Sequence, residues 1–337
     1  MDAPRFPLTR LPVPCSQIVL RIMHPIELIL VSLLSKICKN LASSLNTRTK
    51  PMIVYFAHIL YIVVPFQQNV LRIGFYERRE NVQWGRRNNE RKKLLKTSKL
   101  VTISFVRAGG NWERCVWILN NLEVREWTEH LQFLFPNSES LCLNFGEQSF
   151  QFDINSIKET FPNFSKLAIK HTGRFAFNQL LLQKLHFTEG ISISSDCFED
   201  SRIPHWFLIQ NFSHTNLETP TALNDALASN SKKISFVNPQ ISLNAFIKLW
   251  MKGSNPNMEL FFVVYRNGVG TTNRDVIMKG IDYQEMQDTV ERFHIHMRHA
   301  VRGGMDIYRS DGTKATIRIT SASFLVMYVW HDHCIKL

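Results

Sequence analysis

The sequence predicts an α/β fold, with a short helical opening followed by a larger body in which strands and helices alternate. Two patterns predict it. Between residues 6 and 45, apolar side chains recur at three- and four-residue steps, in runs broken by prolines and serines. From residue 101 onward, short apolar runs alternate with amphipathic stretches of helical period. Composition bounds the class: 45% hydrophobic and 20% charged residues over 337 positions suit one large or two medium globular domains and exclude a disordered chain.

The opening reads as three helices. Pro12 and Pro14 precede the first, at about 16–23, with Val19, Ile22 and Met23 on one face. Pro25 opens the second, about 26–33, because the first helical position needs no backbone N–H and a fixed φ is already helical there. Ser32 and Ser35 separate it from the third, about 36–45, which carries Ile37, Leu41 and Leu45. Forty residues cannot bury much core alone. Their apolar faces therefore pack on the chain's own body or wait for a partner.

Met52 to Phe66 is the most apolar window. It falls short of the roughly twenty residues a membrane span needs, so one or two buried strands are expected there and no membrane partner. Leu71–Tyr76 continues the strand character. Residues 77–99 then hold nine basic side chains against three acidic ones, half of the net charge of +12. This run has three readings: a solvated surface, a nuclear-import signal, or a nucleic-acid contact. The last makes residues 78–99 the basis of an alternative function, a basic nucleic-acid-binding or nuclear protein. Trp84 is the lone aromatic of the run, and single-strand binding uses aromatics interleaved with basics, so a nucleic-acid partner is not expected.

Further strands are expected at 101–106, 141–145, 166–170, 190–194, 233–237 and 260–265, and helices at 123–135, 155–161, 177–185, 221–228 and 243–251. Leu141, Leu167, Ile191, Ile234 and Leu260 follow at steps of 26, 24, 43 and 26. Three of these steps suit leucine-rich-repeat-like strand–helix units. The long one has room for an extra unit with Trp206–Gln210 as its strand. Stacked units of this kind give a curved α/β domain with largely parallel strands.

Chemistry is mostly missing. Six separated cysteines without CxxC, and an opening with Pro4, Pro7 and Pro12 but no secretory pattern, point to free thiols in a cytoplasmic or nuclear setting. No P-loop, GxSxG, HExxH or GxGxxG occurs. The histidines at 294, 296 and 299, and the run His331-Asp332-His333-Cys334, are the candidate metal ligands. On a strand only His331 and His333 of the run converge. The expectation is no catalytic residue, no cofactor and no metal.

Phe6-Pro7-Leu8, Arg10-Leu11-Pro12, Val19-Leu20, Met23, Pro25, Glu27-Leu28-Ile29, Leu33, Ser35-Lys36, Lys39 and Leu45 together resemble an F-box of the nematode family that pairs it with an F-box-associated type 2 domain. Gly190–Asp196, Leu223-Asn224, Lys233–Phe236, the run Leu249-Trp250-x-x-Gly253-x-x-Pro256 and Asp306–Ile317 are similar to that second domain. Asp311-Gly312 within it reads as a hairpin turn. The resemblance implies a three-helix F-box at 1–46, a strand-rich basic connection at 47–135 and the associated domain at 136–337. It implies a non-catalytic, substrate-recognition subunit of an SCF-type ubiquitin ligase. Phe6, Leu8, Leu11, Pro12, Ile26, Leu28 and Ile29 would meet a Skp-type adaptor, and through it a cullin, while the remainder holds a target protein. The chain departs from the pattern at Pro14, Cys15 and Ser16. Ser16 is expected to bring an unpaired hydroxyl to the adaptor face, at a cost of about 1–3 kcal/mol.

Overall fold

The computed structural model describes residues 8–66, 69–76, 95, 100–107, 112–119, 122–136, 141–194, 197–199, 203–218, 221–266, 273–321 and 323–336. The fold is mixed α/β. The chain divides into two compact units, Met1–Ser165 and Lys166–Leu337. The expected limits lie at residues 46 and 135; the two compact units meet at Ser165.

The first unit opens with three helices, α1 (Val13–Ile22), α2 (Pro25–Ser32) and α3 (Lys36–Ser43). Their ends follow from local chemistry. Pro25 is the first residue of α2, and a capping box closes its start: His24 Nδ1 accepts from Ile26 N and Glu27 accepts from His24 N, both at 3.2 Å. Ser35 caps α3 by accepting from Cys38 N.

The sheet of this unit runs β6 (Cys142–Phe145), β1 (Ile53–Phe56), β2 (Leu60–Phe66), β3 (Asn69–Tyr76), β4 (Leu100–Arg107), β5 (Trp112–Leu119). Only β1 and β6 pair in parallel here; the rest form an antiparallel meander. The apolar window at 52–66 is thus a hairpin of two strands. Register puts Ile62 beside Ile73 and Ile73 beside Ile103, with Val64, Leu71 and Phe105 in the next row. These side chains are buried on one face. Helix α4 (Val124–Leu134) buries Val124, Trp127, Thr128, Leu131 and Leu134, the three- and four-residue steps of an amphipathic helix. Helix α5 (Ile154–Thr160) closes the unit, capped by Asp153.

The helix trio is tied to α4 through His130, whose Nε2 lies 2.8 Å from the Ser32 hydroxyl. Burial, and secondarily the Lys39 ammonium, lowers this imidazole to about 4 from an ordinary 6.5. The unfolded chain therefore takes up a proton below pH 6.5 that the folded chain refuses. The contribution of His130 to stability is expected to be constant above pH 6.5 and to fall, by up to about 3 kcal/mol, between pH 6.5 and 4. Denaturant midpoints measured across that window should show the loss in the wild type and a shallower slope in His130→Gln.

The second unit begins with alternating strands and helices: β7 (Lys166–Ile169), α6 (Phe175–Lys184), β8 (Gly190–Ser194), α7 (His205–Leu208), β9 (His214–Glu218), α8 (Leu223–Ala228), β10 (Lys233–Val237), α9 (Leu243–Met251), β11 (Leu260–Val264). All four pairings in this series are parallel. After α10 (Arg274–Ile277), four strands turn the pattern antiparallel: β12 (Gln284–Arg292), β13 (Val301–Tyr308), β14 (Lys314–Ser321) and β15 (Phe324–Val329). The sheet order is β7-β8-β9-β10-β11-β15-β14-β13-β12. The expected largely parallel sheet is corrected in this last part, where short hairpin links leave no room for crossover helices. Asp311-Gly312 is one such link, with Gly312 at φ +87°.

A second correction concerns Trp206–Gln210, expected as a strand. Residues 205–208 form α7, and the strand of that step is β9. Pro204 stands at the helix N-cap, and Ile203, Phe207 and Leu208 are the buried members, a helical spacing rather than an alternating one.

Helix α9 shows why these units hold together. Leu243, Phe246, Ile247 and Trp250 form its buried stripe, and Phe246 stacks on Phe261 of β11 at 4.3 Å. Ser242 caps the start. Gly253 ends it at φ +109°, with Gly253 N bonded to Trp250 O and Ser254 N to Leu249 O, the paired bonds of a Schellman motif.

Candidate interaction surfaces

The helix trio separates its apolar residues into two sets. Ile26, Leu28 and Ile29 are buried, Ile26 and Ile29 completely. They are among the residues expected to meet an adaptor; α2 is apolar on most of its circumference, and the chain's own first unit covers this part of it. Leu8 and Leu11 are half-buried and Pro12 is exposed. Phe6 lies outside the described residues. The outward apolar set is Val13, Ile18 and Ile22 on α1, with Leu34 and Ile37 at the bend into α3. Ile18 and Ile22 stand one turn apart, so they share a face of α1. Exposure reaches 81% at Ile22 and 76% at Leu34. Among the described residues of the first unit, only Trp117 and Phe133 add to this set of exposed large apolar side chains.

Ser16 is also relocated. It is buried with Leu20 on the inner face of α1, and its hydroxyl donates to the Leu8 carbonyl at 3.0 Å. The expected cost of an unpaired hydroxyl on the adaptor face therefore does not arise. Pro14 and Cys15 are exposed. The basic run at 78–99 lies outside the described residues, except Leu95.

In the second unit, register divides the parallel strands into two faces. Leu167, Ile191, Ile234 and Phe261 share one row, and Ile169, Ile193, Leu217, Phe236 and Val263 the next; all are buried. The opposite face is largely polar on β7 to β10 and turns apolar on β11, where Leu260 and Phe262 stand in register with Lys233 and Ser235. One row runs Lys166, Gly190, His214, Lys233, and the next Ala168, Ser192, Asn216, Ser235. Asn216 Nδ2 donates to Ser192 Oγ at 2.9 Å, and His214 Nε2 lies 3.3 Å from Ser235 Oγ. Gly190 is required where it stands, because an added Cβ would come within 2.9 Å of the His214 carbonyl.

A cavity of about 530 Å³ opens in this unit, lined in part by Phe212, Lys232, Pro256, Glu259, His331 and His333. Glu259 is its buried acid. Its carboxylate meets His296 Nε2 at 2.5 Å, His333 Nε2 at 2.9 Å and Lys232 Nζ at 3.0 Å. Burial alone would raise this carboxyl. The bonds from His333, His296 and Lys232 outweigh it and bring the group to about 2. Cys334 lies beside it, fully buried, its thiol pushed up to about 11 by burial and then by the Glu259 charge. Sequence reasoning missed Glu259 and Lys232, which sit outside any recognisable spacing. The run 331–334, expected as a strand, is not one. Residues 332–334 form a 3-10 turn, so His333 and Cys334 both reach Glu259 while His331 bonds the Met258 carbonyl.

Residues 203–263 match the sequence model of the F-box associated family. The second unit therefore contains a segment similar to the F-box associated family. The matched stretch is α7 through most of β11, an internal segment that includes the Trp250, Gly253 and Pro256 signature. Over 315 residues the chain is also 22% identical to the F-box associated domain-containing protein sdz-33 of Caenorhabditis elegans, covering 93% of each. No solved structure matches. Among the described residues no helix is long and apolar enough to cross a membrane.

Proposed function

We propose that this chain is the substrate-recognition subunit of an SCF-type ubiquitin ligase. The helix trio binds a Skp-type adaptor, which joins it to a cullin, and the F-box associated domain holds a target protein. The chain performs no chemistry of its own. Its contribution is proximity, by which a lysine of the bound target is kept near a ubiquitin-loaded enzyme elsewhere in the assembly.

The observation that carries this reading is the exposure of Val13, Ile18, Ile22, Leu34 and Ile37 on the short helices that open the first unit. Apolar side chains gathered on one small element of a folded chain mark an interaction site. The adaptor contact shifts accordingly from Ile26, Leu28 and Ile29 to these five, with Leu8, Leu11 and Pro12 beside them. The target-binding face is the polar row of Ser192, His214, Asn216, Lys233 and Ser235, which offers donors and acceptors on rigid strands.

Co-expression of the full chain with a Skp-type adaptor tests the reading. The wild type is expected to co-purify with the adaptor in equal amounts, and Ile22→Asp/Ile37→Asp to lose it while keeping its melting temperature. Failure of the wild type to retain the adaptor would overturn the proposal.

A further inference from the structure

We propose that Glu259, His296, His333 and Cys334 form a binding site for a borderline-soft divalent cation, zinc being the best fit. The site is independent of the adaptor contact and of any ligase role.

Donor chemistry points there first. A carboxylate oxygen of Glu259, a ring nitrogen of His333 and the Cys334 sulfur all lie within 4.8 Å of one another. His296 Nε2 adds a second nitrogen, 2.5 Å from the other carboxylate oxygen. Two imidazoles, a thiol and a carboxylate are a zinc donor set. Zinc–ligand lengths of about 2.0–2.3 Å place tetrahedral donors roughly 3.3–3.8 Å apart. Among Glu259, His333 and Cys334, the hydrogen-bonded pair at 2.9 Å stands somewhat too close and the widest separation, within 4.8 Å, exceeds the metal geometry by about 1 Å.

The setting fits as well. Glu259 and Cys334 are buried, and the cavity that Glu259 and His333 help to line gives an ion a way in. His294 supports His296 from behind: its Nδ1 accepts from His296 N at 3.3 Å, and its Nε2 lies 3.1 Å from the Val329 carbonyl. Outer contacts of this kind hold a ligating loop in place. Lys232 occupies the cation's position in part, with Nζ 3.0 Å from Glu259, but its side chain is 55% exposed and free to swing into solvent. Binding displaces the Cys334 thiol proton to solvent, and the thiolate becomes the fourth ligand. The donors come from three places: the start of β11, the segment after β12, and the C-terminal turn. A bound ion therefore clips that turn onto the sheet.

Cobalt(II) titration of the metal-free full chain tests this, because a sulfur-to-cobalt charge-transfer band reports thiolate ligation. One equivalent is expected to bind, with the band present, and zinc should displace the cobalt and raise the melting temperature. Cys334→Ser should abolish the band, and His296→Ala or His333→Ala should weaken binding at least about tenfold. Cys115→Ser, an exposed thiol in the other unit, should leave it intact. Circular dichroism of the metal-free variants, matching wild type, separates ligand loss from misfolding. Absence of saturable binding near one equivalent, or a band that survives Cys334→Ser, would overturn the proposal.

Discussion

Ile29→Asp is expected to destabilise the first unit by at least about 4 kcal/mol. Ile29 is completely buried in α2, and its carbonyl already accepts from the Ser32 hydroxyl at 2.6 Å. A carboxylate there loses the transfer energy of the isoleucine and gains the penalty of an unpaired buried charge. The neighbouring substitution Ile22→Asp, only seven positions earlier, is expected to change stability by no more than about 0.5 kcal/mol, because that side chain is already in water. Denaturant unfolding of the two variants separates them. Equal effects would mean that the division of the trio into an inner and an outer set is wrong.

Trp250→Ala is expected to cost the second unit about 3–5 kcal/mol. The indole is completely buried on α9, and the Arg309 guanidinium lies over its ring at 5.5 Å. Arg309 is itself held by Asp311 and by the Pro256 carbonyl, so the loss spreads from the helix to the β13–β14 turn. Trp250→Phe should cost distinctly less. Its ring keeps most of the contact, and it removes an indole N–H that is buried without a hydrogen-bond partner. A calorimetric melt in which alanine and phenylalanine are equally damaging would contradict this account of the packing.

Much of this architecture is legible in the sequence where one local rule decides. Pro25 starts a helix because its ring already has the required φ. Gly253 and Gly312 mark a helix end and a turn because both need a positive φ. The stripe of Leu243, Phe246, Ile247 and Trp250 has a single reading. The harder cases are those where periodicity is satisfied by two arrangements. Trp206–Gln210 is a run too short to show whether its period is two or four, and only the burial of Ile203, Phe207 and Leu208 decides for a helix.

The candidate surfaces are less legible for a related reason. Amphipathic spacing identifies apolar positions without saying which are covered by the same chain. In α2 nearly every position is apolar, so Ile26, Leu28 and Ile29 look as suited to a partner as Ile22 and Ile37 do. Glu259 has no spacing signal at all. It meets His296 from 37 positions away and His333 from 74; the β11–β15 pairing brings the His333 turn alongside, and the bridge between His294 and Ile335 brings His296.

The most direct measurement is a calorimetric titration of the purified chain with a Skp-type adaptor, beside the variant Ile22→Asp/Leu34→Asp/Ile37→Asp. The account predicts one-to-one binding by the wild type, weakened at least about 100-fold in the variant, which is about 3 kcal/mol of lost contact, with both proteins melting at the same temperature. Equal affinity in the two, or no binding by a folded wild type, would contradict it.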